Sequence, residues 1–325
     1  MMWWSPSVAR RWVGVAGAAV VLGASAVAGQ PSAMAASCVL PSSPVDRLTG
    51  DWDGDGVDTV GLFDPVSATW FLRNANTAGR PDLCFRYGSP GVAPVVGDWD
   101  GDGTDTVGVV RRTAGVDTWR WILKNSNTAG GGDVDFRYGH RDNAPITGDW
   151  DGDGDTNIGV VETGVTHLRW HLRRANSGGG DSWDFLYGRS GAGGTPSDSP
   201  VVGDWDGNGT DTVGVIRWAA VRADEWNLRN ANTPGYADIV FRYGSIPHYE
   251  NEPQYTGAHM VVGDWNGDGR DDPGTVGWVR VDDPTTPSVE LLAQWGLRYD
   301  TSTGPDDRKF GYGTALAGVP RTYPI

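Results

Sequence analysis

A nine-residue acidic segment that occurs five times is the strongest constraint on what this chain can fold into. The copies read GDWDGDGVD from Gly50, GDWDGDGTD from Gly97, GDWDGDGDT from Gly148, GDWDGNGTD from Gly203 and GDWNGDGRD from Gly263. Their starts lie between 47 and 60 residues apart. Self-similarity at such a period is typical of a fold built by repeating one supersecondary unit. We call each copy an acidic loop and number its positions from the first aspartate, so that Asp51 is position 1 of the first loop.

Two further motifs recur in step with the acidic loops. A W-x-L motif starts at Trp70, Trp121, Trp170, Trp226 and Trp295, and an F-x-Y-G motif starts at Phe85, Phe136, Phe185, Phe241 and Phe310. Between turns rich in Gly, Asn and Asp, the segments alternate apolar and polar residues, which predicts short strands, about four in each unit. Five such units predict an all-β fold, a β-propeller of five four-stranded blades. A β-solenoid and a pair of β-sandwiches are the alternatives.

The N-terminal segment has the features of a secretory signal peptide. Arg10 and Arg11 precede a long apolar run, and the A-x-A pattern AMA ends at Ala35. We therefore expect residues 1–35 to be cleaved and the product to be secreted, with an N-terminal arm at 36–44 and the propeller at 45–325. A twin-arginine signal and a lipid attachment site at Cys38 are alternatives. No later segment is long enough to span a membrane.

The C-terminal tail, TALAGVPRTYPI after Gly313, has no acidic loop of its own. Its GVP resembles the GVAP that precedes the second loop. Pairing of this tail with the first blade is one way to close the ring.

The acidic loops have the spacing of a calcium site. Oxygen-bearing side chains at positions 1, 3 and 5 before Gly at position 6 match the first half of the D-x-[DN]-x-[DN]-G loop, in which a carbonyl at position 7 is a further ligand. We expect up to five calcium ions. The spacing leaves open whether position 8 or 9 completes each shell, and the third loop, without an acid at position 8, is expected to bind most weakly.

The candidate metal ligands are, loop by loop, Asp51, Asp53, Asp55, Val57 and Asp58; Asp98, Asp100, Asp102, Thr104 and Asp105; Asp149, Asp151, Asp153, Asp155 and Asn157; Asp204, Asp206, Asn208, Thr210 and Asp211; and Asp264, Asn266, Asp268, Arg270, Asp271 and Asp272.

Positions 1 to 9 of the acidic loops hold 19 of the 41 acidic residues of the chain, all of them Asp. The chain has 41 acidic residues against 26 Lys plus Arg, a net charge of −15. Removal of the leader takes away two arginines and no acid, which leaves 24 basic residues against 41 acidic ones, a net charge of −17. All but five of the acids are Asp, as expected when a short carboxylate is needed in a turn, whereas a generic acidic surface would use Glu as well. The charge argues against nucleic acid as a partner.

The loops GDWDGDG and GDWNGDG, each followed in most units by TVGV or a related strand, resemble the FG-GAP/VCBS-type repeats of integrin-α-like β-propellers. The resemblance extends from about Val45 to Gly313. It implies calcium in a hairpin loop within each blade, an extracellular setting, and an adhesive or ligand-presenting role. The sequence departs from the family pattern at the late carboxylate, which stands at position 8 and not at position 9, except that the fifth loop has both Asp271 and Asp272.

The chain has two cysteines, Cys38 and Cys84. In an exported protein such a pair predicts a disulfide, here between the N-terminal arm and the first blade. A free thiol pair is the alternative.

Residues that depart from the repeat are the better candidates for ligand binding. The longest insertion runs from Ser245 to His259 and contains His248, Tyr249, Tyr255 and His259, which we take as possible ligand-binding residues. A solvated loop or a metal site formed by the two histidines are alternatives. The tryptophans outside the repeat pattern of the propeller are Trp119, Trp183, Trp218 and Trp278.

The sequence contains no H-E-x-x-H, G-x-S-x-G, P-loop or dinucleotide-binding motif. We therefore expect no catalytic residues and a non-enzymatic module whose partner is an extracellular protein or a glycan. The alternative is a carbohydrate-active enzyme, a glycoside hydrolase or lyase, or a lectin-like module. For that alternative the acids outside the loops are the candidates: Asp64, Glu162, Glu225, Glu250 and Asp282.

Overall fold

The computed structural model describes residues 38, 40, 45–164, 166–191, 197–218, 223–244, 259–282, 288–313 and 319–320, of which 278–282 and 288–292 are described as backbone only. The regular secondary structure of these residues consists of 21 strands and no helix. The predicted signal peptide at 1–35 lies outside them.

The strands form five antiparallel sheets, each a meander of four consecutive strands. The first sheet has β1 (Asp46–Gly50), β2 (Thr59–Asp64), β3 (Thr69–Leu72) and β4 (Leu83–Arg86). The second has β5 (Ala93–Gly97), β6 (Thr106–Thr113), β7 (Val116–Leu123) and β8 (Val134–His140). The third has β9 (Ala144–Gly148), β10 (Asn157–Thr163), β11 (His167–Leu172) and β12 (Trp183–Arg189).

The fourth sheet has β13 (Ser199–Gly203), β14 (Thr212–Arg217), β15 (Asp224–Leu228) and β16 (Ile239–Tyr243). The fifth has β17 (His259–Gly263), β18 (Asp272–Asp282), β19 (Ser288–Leu297) and β20 (Arg308–Gly311). The second strand of a blade is an almost continuous buried apolar run, as in TVGLFD of β2. Such a run is expected where neighbouring sheets cover both faces of a strand.

The first strands of the sheets contact one another in a closed cycle, β1 with β5, β5 with β9, β9 with β13, β13 with β17 and β17 with β1. The sheets are therefore the blades of a five-bladed β-propeller, which confirms the predicted fold class. The acidic loop joins the first strand of each blade to the second. All five loops thus lie at the same end of the innermost strands.

The ring closes without the tail. The described part of the tail, β21 (Val319–Pro320), pairs with β19 of the fifth sheet and not with the first blade. The last and first blades are instead joined by side chains: the Tyr312 hydroxyl donates to the carbonyl oxygen of Phe71 at 3.1 Å. The backbone N–H of Asp58 in the first blade donates to the carbonyl of Asp264 in the fifth, at 2.8 Å.

The W-x-L and F-x-Y-G motifs form the contacts within and between blades. The Trp70 indole, fully buried, donates to the carbonyl of Tyr87 in the same blade at 3.0 Å. The Tyr87 hydroxyl then donates to the carbonyl of Ile122 in the next blade at 2.9 Å. The same two bonds recur in every blade. These motifs are therefore explained by packing.

Cys38 and Cys84 form a disulfide with their Cα atoms 6.1 Å apart, as predicted. Cys84 lies on β4 and Leu40 of the arm packs against the core between the fifth and first blades. The disulfide therefore attaches the arm where the ring closes.

Candidate metal centre

The five acidic loops touch one another in a ring. A Cβ atom added to Gly54, at position 4, would lie 3.0 Å from Thr104 Oγ1 and 3.3 Å from Gly103 O in the next loop. Gly54 and Gly56 also have φ angles of 73° and 82°, which other residues rarely adopt. The other position-4 glycines lie equally close to positions 6 and 7 of the following loop: Gly101 by Asp155, Gly152 by Thr210, Gly207 by Arg270 and Gly267 by Val57.

The aspartate at position 1 organises its own loop. The Asp51 carboxylate accepts backbone N–H bonds from Gly54 at 2.8 Å, Asp55 at 3.1 Å and Gly56 at 2.7 Å. Bonds of this kind recur in the other loops, on Asp98, Asp149, Asp204 and Asp264. A turn closed this way brings the carboxylates at positions 1, 3 and 5 to one side.

Carboxylate oxygens converge in the first three loops. One oxygen from each of Asp51, Asp53 and Asp55 lies within 4.8 Å of the other two, and the same holds for Asp98, Asp100 and Asp102, and for Asp149, Asp151 and Asp153. Burial and the charges of Asp55 and Asp51 raise the pKa of Asp53, despite a hydrogen bond from Asn74. Ionised carboxylates this close favour a bound cation.

The fourth and fifth loops have an amide in place of one of these carboxylates, Asn208 at position 5 and Asn266 at position 3. In the fifth loop Asn266 Nδ2 lies 3.2 Å from Asp268 Oδ2. An amide oxygen is also a calcium ligand, so these loops keep three oxygen-bearing side chains with one charge fewer.

Sequence reasoning missed a set of asparagines next to the loops. Asn76 is 5% exposed, and its Nδ2 donates to the carbonyl of Asp58 at 2.7 Å, which leaves its Oδ1 buried without a partner. Asn127, Asn176 and Asn232 make the same bond to position 8 of their own loops and leave the same oxygen unpartnered. Because buried polar atoms are almost always paired, these oxygens are suited to bind a cation or a water molecule. In the sequence, the N-x-N turn that recurs in step with the loops could have pointed to these asparagines.

The residue two places earlier in this turn reaches position 3 of the loop. Asn74 hydrogen-bonds the Asp53 carboxylate. In the third blade the equivalent residue is Arg174, whose Nε lies 2.8 Å from Asp151 Oδ2. The third loop therefore already has a positive charge on one of its candidate ligands.

Position 9 differs between blades. Thr59, Thr106 and Thr212 donate to the carbonyl of the glycine before the loop at 3.3 Å. Asp272 in the fifth loop is 2% exposed, and its Oδ2 is buried without a partner. Burial and the charges of Asp268 and Asp300 raise its pKa to about 8. Asn157 of the third loop likewise has a buried unpartnered Oδ1.

The position-8 residues bind the neighbouring blade. Asp105 Oδ2 accepts the backbone N–H of Asp51 at 3.0 Å, while the Asp105 N–H donates to the Asp51 carbonyl at 2.8 Å. This pair of bonds recurs around the ring, with Thr156 in the place of the acid in the third blade.

The position-8 carboxylates line a central cavity of about 540 Å³. Burial raises the pKa of Asp105 and of Asp271 to about 7. Their role as calcium ligands stays a prediction.

The side chains at position 7 face the preceding loop. Burial and the charges of Asp153 and Asp98 raise the pKa of Asp155, so this carboxylate lies between the third and second loops. Arg270 lies against Gly207 of the fourth loop. The second loop therefore has an additional carboxylate next to it, and the fourth has a cation.

Of the four residues proposed for ligand binding, the structure describes His259. His259 begins β17, and burial and the nearby Arg47 charge lower its pKa. His248, Tyr249, Tyr255 and Glu250 lie outside the described residues, as do the side chains of Asp282 and Trp278.

Two of the acids considered for catalysis form ion pairs or hydrogen bonds within their own blade. Glu225 forms ion pairs with Arg217 and Arg242, and Asp64 accepts bonds from its own turn. Glu162 faces a cavity beside His171.

The described tryptophans that depart from the repeat have polar or cationic partners. Trp119 and Trp218 donate to Asn143 O and Ser199 Oγ, and the Arg174 guanidinium lies 5.1 Å from the ring of Trp183.

Comparisons with protein-family models, with curated proteins and with solved structures returned no match to this chain. Within the ranges given for the structure, no helix has the length and apolar character required to cross a membrane.

Proposed function

We propose that this chain is a secreted calcium-binding β-propeller of the FG-GAP/VCBS type, a non-enzymatic module that presents a ligand-binding or adhesive surface. Calcium orders the ring of acidic loops. The observation that carries this proposal is the convergence of three carboxylate oxygens within 4.8 Å of one another in each of the first three loops. Carboxylate and amide oxygens in a turn of this spacing are the donor set of calcium.

The charged residues around each loop suggest an order of calcium affinity among the five loops. The first and second loops have three carboxylates each, and the second also has Asp155 beside it. The fifth loop has the buried Asp272 in addition to its own acids. The third loop has Arg174 on Asp151, and the fourth has Arg270 against it. These two bind most weakly because a fixed positive charge opposes the ion.

The extracellular setting is supported by the disulfide and by the signal peptide expected from the sequence. The partner proposed is a protein or glycan outside the cell. Screening a glycan array and a set of polysaccharides separates the alternatives: binding without turnover indicates a lectin-like module, and release of reducing ends indicates a carbohydrate-active enzyme.

Thermal unfolding with calcium and with chelator tests the calcium proposal. A ligand that binds only the folded state stabilises by about 2.7 kcal/mol at a concentration 100 times its Kd, so calcium at millimolar concentration raises the Tm strongly. Asp102→Ala reduces this calcium-dependent gain. Asp117→Ala is the matched control, because Asp117 is an exposed acid on β7 away from the loops. A Tm that is the same in calcium and in chelator contradicts the proposal.

A further inference from the structure

A second, chemically different cluster lies between the second and third blades. A cavity of about 470 Å³ is lined by Tyr138 and His140 of β8, by Glu162 of β10, by His171 of β11 and by Asp181. Tyr138 belongs to the F-x-Y-G motif, but His171 departs from the repeat, because the other blades have Phe71, Ile122, Asn227 and Gly296 at its position. The propeller scaffold does not require a histidine there, so this arrangement needs another explanation.

A chain of hydrogen bonds fixes the proton on one nitrogen of His171. The Tyr138 hydroxyl lies 2.8 Å from Asp181 Oδ1 as well as 3.1 Å from the His171 carbonyl oxygen, so its single proton is shared between them, and Asp181 Oδ2 lies 2.9 Å from His171 Nδ1. An ionised carboxylate only accepts hydrogen bonds, so Nδ1 carries the proton. The other nitrogen, Nε2, then carries either a second proton or a lone pair that can bind a metal ion.

Nε2 faces a second carboxylate. His171 Nε2 lies 3.3 Å from Glu162 Oε2. With a proton on Nε2 the two groups form an ion pair, and with a lone pair on Nε2 they can share a metal ion. Zinc, with bonds of about 2.0–2.1 Å to nitrogen and 2.0–2.2 Å to oxygen, holds two ligand atoms about 2.8–3.5 Å apart at tetrahedral or octahedral angles. The observed separation lies within this range.

We propose that His171 Nε2 and Glu162 bind a divalent first-row transition metal ion of the zinc type, with Asp181 and Tyr138 as positioning residues that orient the imidazole. A carboxylate that accepts the second N–H of a ligating histidine is the usual support of such a site. The remaining coordination positions face the cavity, where His140 and Asn143 also lie. Asp184, which is near His171 and Asp181, is paired with Arg169 at 2.6 Å and is not assigned to the metal.

This site is independent of the calcium loops, because an imidazole ligand favours transition metals and the loops present only oxygen. Zinc titration calorimetry of the whole chain in excess calcium therefore isolates it. The expected result is one equivalent of zinc bound by the wild type and none by His171→Asn. Glu162→Gln weakens binding, and Asp181→Asn weakens it by about 10- to 100-fold, as for other groups that orient a ligand.

His167→Asn is the matched control, because His167 is an exposed histidine on the same strand and does not line this cavity. The zinc-free Tm of each variant shows that it is folded, and Co²⁺ absorption in the visible range, present in the wild type and lost in His171→Asn, reports ligation directly. Equal zinc binding by the wild type and His171→Asn overturns the proposal. It is also overturned if zinc leaves the side-chain NMR signals of His171 unchanged, since a proton then fills the gap to Glu162.

Discussion

At the scale of single residues, each recurring position of the acidic loop can be assigned by the contact that its oxygen atoms make. Position 1 closes the turn and position 8 binds the preceding blade. Asn76 fixes the carbonyl of Asp58 with its nitrogen, while its oxygen has no partner. The spacing of the acidic loop predicted the carboxylates at positions 1, 3 and 5. It could not predict the asparagine oxygens, because their position depends on the hairpin that returns the chain to the loop.

Asp272→Asn tests whether a buried oxygen serves the ion. Asp272 is 2% exposed and lies close to other acids, and burial raises its pKa to about 8, so in chelator at about pH 9 its ionised carboxylate is uncompensated. Because the amide of the variant is neutral, its Tm in chelator is higher than that of the wild type. In saturating calcium its Tm is lower than that of the wild type, because a charged ligand has been lost. Differential scanning calorimetry in both solutions measures this. A shift of the same sign in both contradicts a ligand role.

Asp198 gives a residue-scale prediction that does not involve metal. Its side chain is fully buried and forms ion pairs with Arg189 at 2.8 Å and Arg217 at 3.2 Å. Burial raises the pKa of Asp198, but the two guanidinium groups outweigh burial and hold it below its ordinary value. The stabilisation is therefore present above the unfolded-state pKa of about 3.9 and is lost as the pH falls through the folded-state pKa.

Asp198→Asn therefore lowers the free energy of unfolding by about 2 kcal/mol at pH 7, less than for a fully buried pair because both arginines are partly exposed. The difference from the wild type shrinks as the pH falls below about 4. Urea unfolding at several pH values measures it. A difference that is constant from pH 7 to pH 3 shows that the charge of Asp198 is not the cause.

At the scale of elements, each blade is a contiguous meander in which a cationic residue after the W-x-L motif holds the following turn, an arginine in four blades and Lys124 in the second. Arg73 Nε donates to the Thr77 carbonyl at 2.7 Å and its Nη2 to Thr77 Oγ1 at 2.7 Å, which fixes the N-x-N turn against the acidic loop. The strand pattern predicted the blades because each blade is local in sequence. The contacts between blades were not predictable from a repeat, since Asp58 and Asp264 are 206 residues apart.

The disulfide between the N-terminal arm and β4 is the element whose removal has the simplest expected effect. It closes a loop of 46 residues, which on the chain-entropy model stabilises the fold by about 4 kcal/mol. Cys38→Ser with Cys84→Ser lowers the urea midpoint accordingly, and reductant has no further effect on that variant. An unchanged midpoint shows that the arm contributes nothing to stability.

At the scale of the whole molecule, the ring is closed by repeated side-chain contacts, with the same bonds between the fifth and first blades as between the others. Five repeats in step predicted the five blades. The His171 cluster was not predicted because it combines the repeated Tyr138 of one blade with residues of the next blade that depart from the repeat. Tyr138 and Asp181 meet only when the second blade packs on the third.

The ring of loops carries the central claim, which is that calcium binds there. The most direct measurement is the number of calcium ions bound per chain, by equilibrium dialysis followed by metal analysis. We predict up to five equivalents, with the first, second and fifth loops filled at the lowest calcium concentration. Less than one equivalent per chain at millimolar calcium would contradict the account.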